Sequence, residues 1–290
     1  VENIKEDPRY KEIEGDICDE KLVTYLLEQY KIDTLIHCAA ESHVDRSIYN
    51  AKPFIETNIL GTWSLLEAVR KFPHIHFHHI STDEVYGSLE GKGAFTETSP
   101  YAPNSPYAAS KAASDHLVRA WSHTFQLLST ISHCTNNYGP YQNKEKFIPM
   151  LITHALEKKA IPIYGDGRQK RDWIHVMDHA AAVWKIVQKG TVGQVYDIGA
   201  ECEQENILLA QSILALVADI TSQPLQELLA LIRHVDDRAG HDRRYAISPK
   251  KIQSHLGWKP SYTLEKGLRE TILFFLSSLT KRDLLCPLSV

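Results

Sequence analysis

The chain has 290 residues, 43% of them hydrophobic and 23% charged, with a formal net charge of -4. These are ordinary values for a globular protein with an ample core; they give no basic footprint for nucleic acid, and no apolar run has the length of a membrane helix. The five scattered cysteines (Cys18, Cys38, Cys134, Cys202 and Cys286) contain no CxxC, so we expect a reducing cytoplasm rather than a disulfide framework or a zinc site.

Segments typical of strands and helices alternate along the chain. The predicted strands are residues 10–14, 34–38, 75–80, 127–132 and 195–198. The predicted helices are 21–30, a stretch with Ile59, Trp63, Leu66 and Val69 at spacings of three and four, one opened by Ser105 as N-cap with Pro106 after it, and 207–220. Strands alternating with helices predict an α/β fold whose parallel sheet has helices on both faces.

The pattern changes after about residue 140. Shorter elements follow, separated by Pro140, Pro149, Pro162, Gly165 and Gly167. We therefore predict a first domain over residues 1–140 and a smaller lobe mainly over 141–290, with some segments returning to the first domain. No repeat or flexible linker separates them, so the two parts should form one compact unit.

Tyr107 and Lys111 form the first candidate for chemistry. They are four residues apart, which puts them on one face of a helix. A tyrosine is a poor base at neutral pH, but a neighbouring ammonium favours the phenolate and lowers its pKa. The pair could then remove a hydroxyl proton while hydride leaves the same carbon. A chance pair on the surface is the alternative that the spacing alone leaves open.

The second candidate is the segment Ser81-Thr82-Asp83-Glu84-Val85-Tyr86-Gly87, directly after a predicted strand. Open parallel sheets bind ligands at the carboxyl ends of their strands, so two carboxylates there could act as general acid and general base. An isolated Asp-Glu would more simply be a solvated turn. The two side chains also point oppositely in an extended strand, so a joint role requires the chain to bend after Thr82.

The order of these and further motifs resembles a known family. The motifs run from Cys38-Ala39-Ala40-Glu41-Ser42-His43-Val44-Asp45-Arg46-Ser47 through Thr57-Asn58-Ile59-Leu60-Gly61-Thr62, the two candidates above, Asn136-Asn137-Tyr138-Gly139-Pro140-Tyr141-Gln142, Gly165-Asp166-Gly167, Arg171-Asp172-Trp173-Ile174-His175-Val176 and Asp237-Arg238-Ala239-Gly240-His241-Asp242. Over almost its whole length the chain resembles the nucleotide-sugar 4,6-dehydratases, which are extended short-chain dehydrogenases. The resemblance implies a Rossmann-like doubly wound parallel sheet with a smaller C-terminal substrate-binding lobe, and a homodimer formed through helices near residues 53–72 and 106–123.

The resemblance also implies a catalytic cycle on dTDP-glucose with NAD as cofactor. Tyr107, supported by Lys111, takes the proton of the 4-hydroxyl while NAD takes hydride from C4, and Thr82 hydrogen-bonds that oxygen. Glu84 then removes the C5 proton, and Asp83 protonates the departing 6-hydroxyl. Hydride returns to C6 and Tyr107 returns its proton, which leaves the 4-keto-6-deoxy sugar nucleotide.

Contacts to cofactor and substrate are likewise implied by the resemblance. The cofactor contacts are Asp16, Ile17, Ala39, Ala40, Thr57, Tyr107, Lys111 and Asn137. The substrate contacts are Ser42, Asn136, Lys146, Phe147, Pro162, Ile163, Tyr164, Arg171, Asn206, Asp237, Arg238 and His241. Among these Arg171 suits the diphosphate, because a guanidinium binds phosphate oxygens in a bidentate manner.

The chain departs from the family pattern at three places. His133 stands where the family usually has Arg, and Ala239 where it usually has Pro, so we expect a weakened charge contact and a looser substrate loop. No Gly-rich dinucleotide fingerprint occurs. We therefore expect a chain lacking its first strand–helix–strand unit, with an unpaired edge at residues 34–38 and poor NAD binding.

Three functions stay open from the sequence. Thr82-Asp83-Glu84 favours a dehydratase over a related nucleotide-sugar epimerase or decarboxylase, since those normally lack this run. The absent Gly-rich loop favours an inactive fragment or scaffold. A metal site at His76, His78 and His79 is disfavoured, because no acidic or cysteine ligand accompanies them.

Overall fold

A four-stranded parallel sheet organises the first half of the chain. The computed structural model describes residues 4–285, with side chains to residue 279. Its strands are β1 (Thr34–His37), β2 (His76–Thr82), β3 (Ser129–Cys134), β4 (Asn136–Tyr138), β5 (Ile161–Tyr164), β6 (Lys170–His175), β7 (Val195–Ile198), β8 (Glu203–Glu205) and β9 (Ile232–Val235). The main sheet has the order β1-β2-β3-β7, and each neighbouring pair is parallel. β7 therefore returns to the first sheet from beyond residue 140.

Eleven helices within residues 4–285 surround the strands. They are α1 (Glu20–Gln29), α2 (Val44–Tyr49), α3 (Lys52–Phe54), α4 (Thr62–Arg70), α5 (Pro106–Phe125), α6 (Phe147–Leu156), α7 (Val176–Lys189), α8 (Asn206–Thr221), α9 (Leu225–Leu229), α10 (Lys250–Leu256) and α11 (Leu264–Leu285). A π-helical turn, Ile55–Gly61, joins α3 to α4. The predicted cap of α5 is confirmed: the Ser105 hydroxyl accepts a hydrogen bond from the Ala108 N–H, and Pro106 is the first helical residue.

The main sheet carries a hydrophobic core on each face. On one face α1, α4 and α5 pack through residues such as Leu27, Leu66 and Val118, all buried. On the other face α7 and α10 contribute Ile186 and Ile252. The predicted parallel sheet with helices on both faces is therefore confirmed.

A separate core lies in the second half of the chain. Its buried members come mainly from α6, α8 and α11 and pack beside β5 and β6. The antiparallel pair β6–β8, the parallel pair β4–β6 and the parallel pair β5–β9 complete this region. The division of the chain at residue 140 stays a prediction, but this core supports it.

One predicted element is wrong. Residues 10–14 form no strand, and β1 is an edge strand of the sheet within residues 4–285. An extended segment becomes a strand only when its N–H and C=O groups find a ladder partner, and residues 10–14 have none. The other strands and helices appear within two residues of the predicted bounds.

Within residues 4–285, no helix combines the length and the apolar character needed to cross a membrane. The cysteines Cys18, Cys38, Cys134 and Cys202 are free thiols, while Cys286 lies outside the described residues.

Candidate active site

The chain bends sharply as it leaves β2, which is the condition that a joint role of Asp83 and Glu84 required. A single turn of 3-10 helix, Asp83–Tyr86, begins at Thr82, whose hydroxyl oxygen accepts the Glu84 N–H at 3.3 Å. Gly87 ends the turn with a φ of 81°, and a side chain there would meet the Ala102 carbonyl oxygen at 2.2 Å. Only glycine satisfies both demands, so it fixes how the two carboxylates leave the sheet.

Asp83 is buried and Glu84 is half-buried, and each carboxylate has one buried oxygen without a partner. These atoms are Asp83 Oδ2 and Glu84 Oε2. Burial and then the charge of Glu84 raise the pKa of Asp83 well above its usual value. Burial also raises the pKa of Glu84, while three cations, Arg171 first, oppose that rise. Neighbouring carboxylates in different environments can divide the roles of acid and base.

Tyr107 and Lys111 lie one turn apart on α5, and both are buried. The Tyr107 N–H donates to the Ser47 hydroxyl at 3.2 Å, and its ring packs edge-on against Phe54. The Lys111 ammonium donates to the Ile80 carbonyl at 2.8 Å. Helical spacing and these anchors place both side chains beside the bend after β2.

The predicted lowering of the Tyr107 pKa by Lys111 is wrong for this structure. Burial, and next the charge of Glu84, raise the pKa of Tyr107 well above 10, while the hydrogen bond with Thr82 acts in the opposite direction. Burial lowers the pKa of Lys111, while the charge of Asp115 opposes the fall. Desolvation disfavours both the Tyr107 phenolate and the Lys111 ammonium. Its effect is larger than the attraction between these two charges that the four-residue spacing predicted.

Two adjoining cavities open at this point. The first, of 640 Å³, is lined by all five predicted catalytic residues, by Ala40 and Asn137 of the predicted cofactor set, and by apolar side chains of α7. The second, of 440 Å³, is lined by eleven of the twelve predicted substrate contacts, namely Ser42, Asn136, Lys146, Phe147, Pro162, Ile163, Tyr164, Arg171, Asn206, Arg238 and His241. Both cavities are lined by Ser42, Glu84, Asn136, Asn137, Gln142 and Lys146. Glu84 therefore lies where the cavities meet, while Asp83 lines the first alone.

Cationic side chains gather in the second cavity. Arg171 is 5% exposed, donates to the backbone oxygens of Lys170 and Asp242, and lies 4.3 Å from the centre of the Tyr245 ring. Arg238 pairs with Asp45 at 3.0 Å, and Lys146 donates to the Ser42 carbonyl at 2.5 Å. Such a cluster suits an anionic ligand.

Asp237, the twelfth predicted substrate contact, does not line the cavity. Its carboxylate instead accepts from Gln169 at 3.0 Å and bonds the His241 ring at 2.5 Å. It therefore orients His241, which does line the second cavity.

Four predicted cofactor contacts lie away from both cavities. Asp16 is exposed and accepts the Cys18 N–H at 2.8 Å, and Ile17 packs against the position of Gly61. Ala39 is exposed, and Thr57 is half-buried in the π-helical turn. The first cavity therefore brings together the candidates predicted near the ribose and nicotinamide, with Ala40, but neither the two predicted at the adenine nor the other two predicted along the dinucleotide.

Some lining residues were missed from the sequence. On α7 they are Val176, His179, Ala180, Val183 and Trp184. Their spacing of three and four marks one helix face, and Trp184 is 57% exposed there, which is a signal that could have been noticed. Asp45, which forms an ion pair with Arg238, belongs to the motif of residues 38–47 but was not among the predicted contacts.

The three histidines on β2 have polar partners. His76 and His78 hydrogen-bond Thr130, His78 also bonds Ser132, and His79 bonds Ser114. Within the described residues no group of His, Cys, Asp or Glu is arranged to hold a metal ion.

Comparison with known proteins identifies relatives along nearly the full chain. The family model described as GDP-mannose 4,6 dehydratase matches residues 1–271. A dTDP-glucose 4,6-dehydratase of Neisseria gonorrhoeae is 48% identical over 294 residues, which cover 97% of this chain and 85% of that protein.

Solved structures agree with the sequence relatives. The dTDP-glucose 4,6-dehydratase DesIV of Streptomyces venezuelae, crystallised with NAD and TYD bound, has a TM-score of 0.89 and 40% identity over 97% of this chain and 84% of its own. A UDP-glucose 4-epimerase of Thermotoga maritima, solved with UDP-glucose, has a TM-score of 0.83 but 25% identity, over 92% of this chain and 84% of its own.

Proposed function

The chain belongs to the family of nucleotide-sugar 4,6-dehydratases, and we propose that it converts dTDP-glucose to dTDP-4-keto-6-deoxyglucose with loss of water, using NAD. The observation that carries the proposal is the adjacent pair Asp83–Glu84, which lies on one turn and lines the same cavity as Tyr107. An epimerase needs the tyrosine for oxidation at C4 but has no use for a second acid and base. The pair therefore favours dehydration over the epimerase and decarboxylase alternatives.

The oxidation step is assigned to Tyr107, Thr82 and Lys111. Tyr107 accepts the proton of the 4-hydroxyl, and Thr82 hydrogen-bonds the same oxygen. Lys111 supplies a positive charge that favours the phenolate. NAD, when bound, would supply the hydride acceptor for C4 and a further positive charge in its oxidised form, and the hydride donor for C6 in its reduced form.

The first cavity fits the reactive end of this cofactor. Apolar side chains such as Ile36 and Val183 form its walls, and Tyr107 and Lys111 provide the polar groups. Such a lining would suit a planar nicotinamide, and the ammonium of Lys111 could bind the hydroxyls of its ribose. Asn137 and Ala40 line the same cavity.

The elimination step is assigned to Glu84 and Asp83. A ketone at C4 acidifies the C5 proton, which Glu84 removes as carboxylate. Its ionised form is favoured by Arg171, Arg238 and Lys146. Asp83 protonates the departing 6-hydroxyl, and its strongly raised pKa keeps that proton available. In the elimination the sugar thus loses a proton from C5 to Glu84. It also loses the hydroxyl of C6, which leaves as water with the proton of Asp83.

The reset step returns each group to its starting state. When hydride reaches C6, Glu84 returns a proton to C5 and becomes a carboxylate again. Tyr107 then holds a proton, and Asp83 lacks one. The Thr82 hydroxyl interacts with Tyr107 and donates to Asp83 Oδ1 at 3.4 Å, so it can pass the proton between them.

The second cavity is assigned to the nucleotide. Arg171, Arg238 and Lys146 face the diphosphate, and His241 is held in place by Asp237. Phe147, Pro162, Ile163, Tyr164 and Asn206 line the same cavity and are assigned to the base and ribose. The adenine contacts Asp16 and Ile17, and the contacts Ala39 and Thr57 along the dinucleotide, remain proposals from the family resemblance.

Two further properties are proposed. A homodimer is supported by large apolar side chains exposed on neighbouring helices, namely Leu60, Trp63 and Phe125, since such patches mark interfaces. A cytoplasmic location rests on the number and spacing of the cysteines.

The experiment is to incubate the purified protein with dTDP-glucose and NAD and to follow the sugar nucleotide by mass spectrometry. The expected product has lost the mass of one water and carries a ketone. A product of unchanged mass would indicate epimerisation instead. No conversion, with binding of neither NAD nor thymidine diphosphate in calorimetry, would favour the scaffold alternative.

A further inference from the structure

A row of buried ionisable side chains runs behind Lys111, away from both cavities. Its members are His79 on β2, Asp115 on α5, His133 on β3 and Asp197 on β7. None is more than 2% exposed. Burying charged groups is costly unless they are paired, and none of the four touches the cavities assigned to cofactor and substrate.

His133 lies between the two carboxylates. Its Nε2 is 3.1 Å from Asp115 Oδ2, and its Nδ1 is 3.0 Å from Asp197 Oδ1. A tyrosine hydroxyl joins each side: Tyr101 bonds Nε2 at 2.9 Å, and Tyr86 bonds Nδ1 at 2.8 Å. Each tyrosine also donates to the carboxylate on its own side, at 3.1 Å for Asp115 and 3.0 Å for Asp197.

This arrangement specifies the proton count of the His133 ring. When both tyrosines donate their single protons to the carboxylates, each ring nitrogen faces only oxygen lone pairs. A neutral ring has one nitrogen without a proton, which would then face a carboxylate lone pair to lone pair. The doubly protonated ring donates on both sides. Although burial opposes the charge, Asp115 and Asp197 raise the pKa of His133 to about 9.

His79 connects this row to the catalytic lysine. Its Nε2 is 3.3 Å from Asp115 Oδ1 and 3.5 Å from Lys111 Nζ. Burial, and next the charge of Lys111, lower the pKa of His79 to about 4, so the ring is neutral at physiological pH. One neutral ring therefore separates the carboxylate of Asp115 from the ammonium of Lys111.

We propose that Asp115, clamped by protonated His133 against Asp197, is a positioning residue that keeps the buried Lys111 charged. The reasoning is electrostatic. Burial favours the neutral amine, and the charge of Asp115 is the largest opposing influence on the lysine pKa. The His133 cation in turn keeps Asp115 ionised, since its hydrogen bond lowers the carboxyl pKa against burial. That Tyr107 uses the charge of Lys111 in catalysis rests on the proposed function. That Asp115 keeps Lys111 charged does not depend on that function.

Other charged and titratable groups surround the row, and those that support the Lys111 charge, Cys134 and Cys38, act less strongly than Asp115. Those near Lys111 are His37 at the end of β1, Cys38 after it and Cys134 on β3. Those near His133, besides the tyrosines, are Glu97, whose carboxylate accepts the Asp197 N–H, Lys251 beside Glu97 and Arg119 near Tyr101.

The first test needs neither cofactor nor substrate. Protein labelled with carbon-13 at the lysine ε-carbons is titrated by NMR, and the Lys111 signal is assigned by its absence from Lys111→Met. In Asp115→Asn the titration midpoint should fall by about one pH unit or more, the size of shift that a nearby opposite charge produces. An unchanged midpoint in a variant with native circular dichroism would overturn the proposal.

The second test uses the unmodified sequence, so it does not depend on a variant folding. In protein labelled with nitrogen-15 at histidine, the His133 ring should give the signature of an imidazolium at pH 7.5, and the His79 ring that of a neutral imidazole. A neutral His133 at this pH would overturn the clamp directly.

The third test separates charge from packing. His133→Arg keeps a cation between the carboxylates, whereas His133→Gln keeps hydrogen bonds without charge. The Lys111 midpoint should stay near that of the wild type in the first variant and fall in the second. Equal midpoints in the two variants would show that the ring serves packing alone. Where turnover is measurable, the alkaline limb of its pH profile should move in step with the Lys111 midpoint.

Discussion

Replacing Glu84 with Gln tests the assignment of the base that removes the C5 proton. The amide has the shape of the carboxylate but cannot accept a proton. Removing a general base costs about 10²–10⁴-fold in rate, which corresponds to about 3–5 kcal/mol in the barrier. The turn should survive, because Glu84 is held there through its backbone N–H on Thr82 and its Oε2 has no partner to lose.

Two readouts in deuterated water locate the block. Glu84→Gln should still oxidise C4, so reduced nicotinamide accumulates in a single turnover, but it should neither lose water nor exchange the C5 hydrogen. Asp83→Asn should also fail to lose water, yet it should exchange C5, because Glu84 remains. Glu90→Gln is the matched control, since Glu90 is exposed beyond Gly87 and outside both cavities.

The outcome that refutes the reasoning is specific. If Glu84→Gln exchanges C5 at the wild-type rate and Asp83→Asn does not, the acid and the base are exchanged between the two residues. If both variants turn over like Glu90→Gln, neither carboxylate performs the elimination. The expected pH dependence has the same basis: elimination should decline as pH falls through the raised pKa of Glu84, because the protonated carboxyl is no base.

Further predictions follow from single contacts. Tyr107→Phe should cost oxidation about 10²–10⁴-fold, measured by reduced nicotinamide and product together, and activity within a few-fold of normal would assign the proton to another group. Gly87→Ala should lower the free energy of unfolding in urea by more than Gly91→Ala, because both glycines have positive φ but only Gly87 faces the Ala102 carbonyl at 2.2 Å; equal losses would contradict this. Arg171→Lys should weaken binding of thymidine diphosphate in calorimetry by about tenfold or more, since a lysine cannot reproduce the planar fork; unchanged affinity would remove Arg171 from the diphosphate site. The stability contributed by protonated His133 is fully present below the unfolded pKa of 6.5 and is lost as pH rises through about 9, so the free energy of unfolding should fall across that window in wild type relative to His133→Arg, and parallel curves would contradict the assignment.

The sequence predicted most of the fold because its patterns are local. The N-cap, the proline after it and the helical periodicity predicted α5, which carries Tyr107 and Lys111. The order of the motifs predicted Asp83 and Glu84 as the candidate acid and base. The sequence could not predict interactions between residues far apart in the chain, such as strand pairing and the effects of burial and charge on a pKa. The strand expected at residues 10–14 fails for want of a partner, and the pKa of Tyr107 is set by burial and by Glu84 rather than by the lysine one turn away.

His133 shows the same limit in another form. Against the family pattern it suggested a weakened charge contact, yet both of its ring nitrogens are satisfied by residues that are distant in the chain. Asp115 and Asp197 are separated from it by 18 and 64 positions. No spacing rule joins such residues, because only the parallel pairing of β3 with β7 and the packing of α5 bring them together.

The placement of charge explains why one scaffold can support both epimerases and dehydratases. Oxidation at C4 needs only a tyrosine and a cation, and it makes the C5 proton acidic whether or not an enzyme uses that acidity. A dehydratase must add a base for C5 and an acid for C6 without disturbing the oxidation. In this chain the proposed base and acid both lie on the 3-10 turn after β2, and, in addition to burial, their charges raise the pKa of Tyr107. A lysine held firmly in its charged form becomes correspondingly more important, and this is the demand that a buried Asp115 behind Lys111 meets.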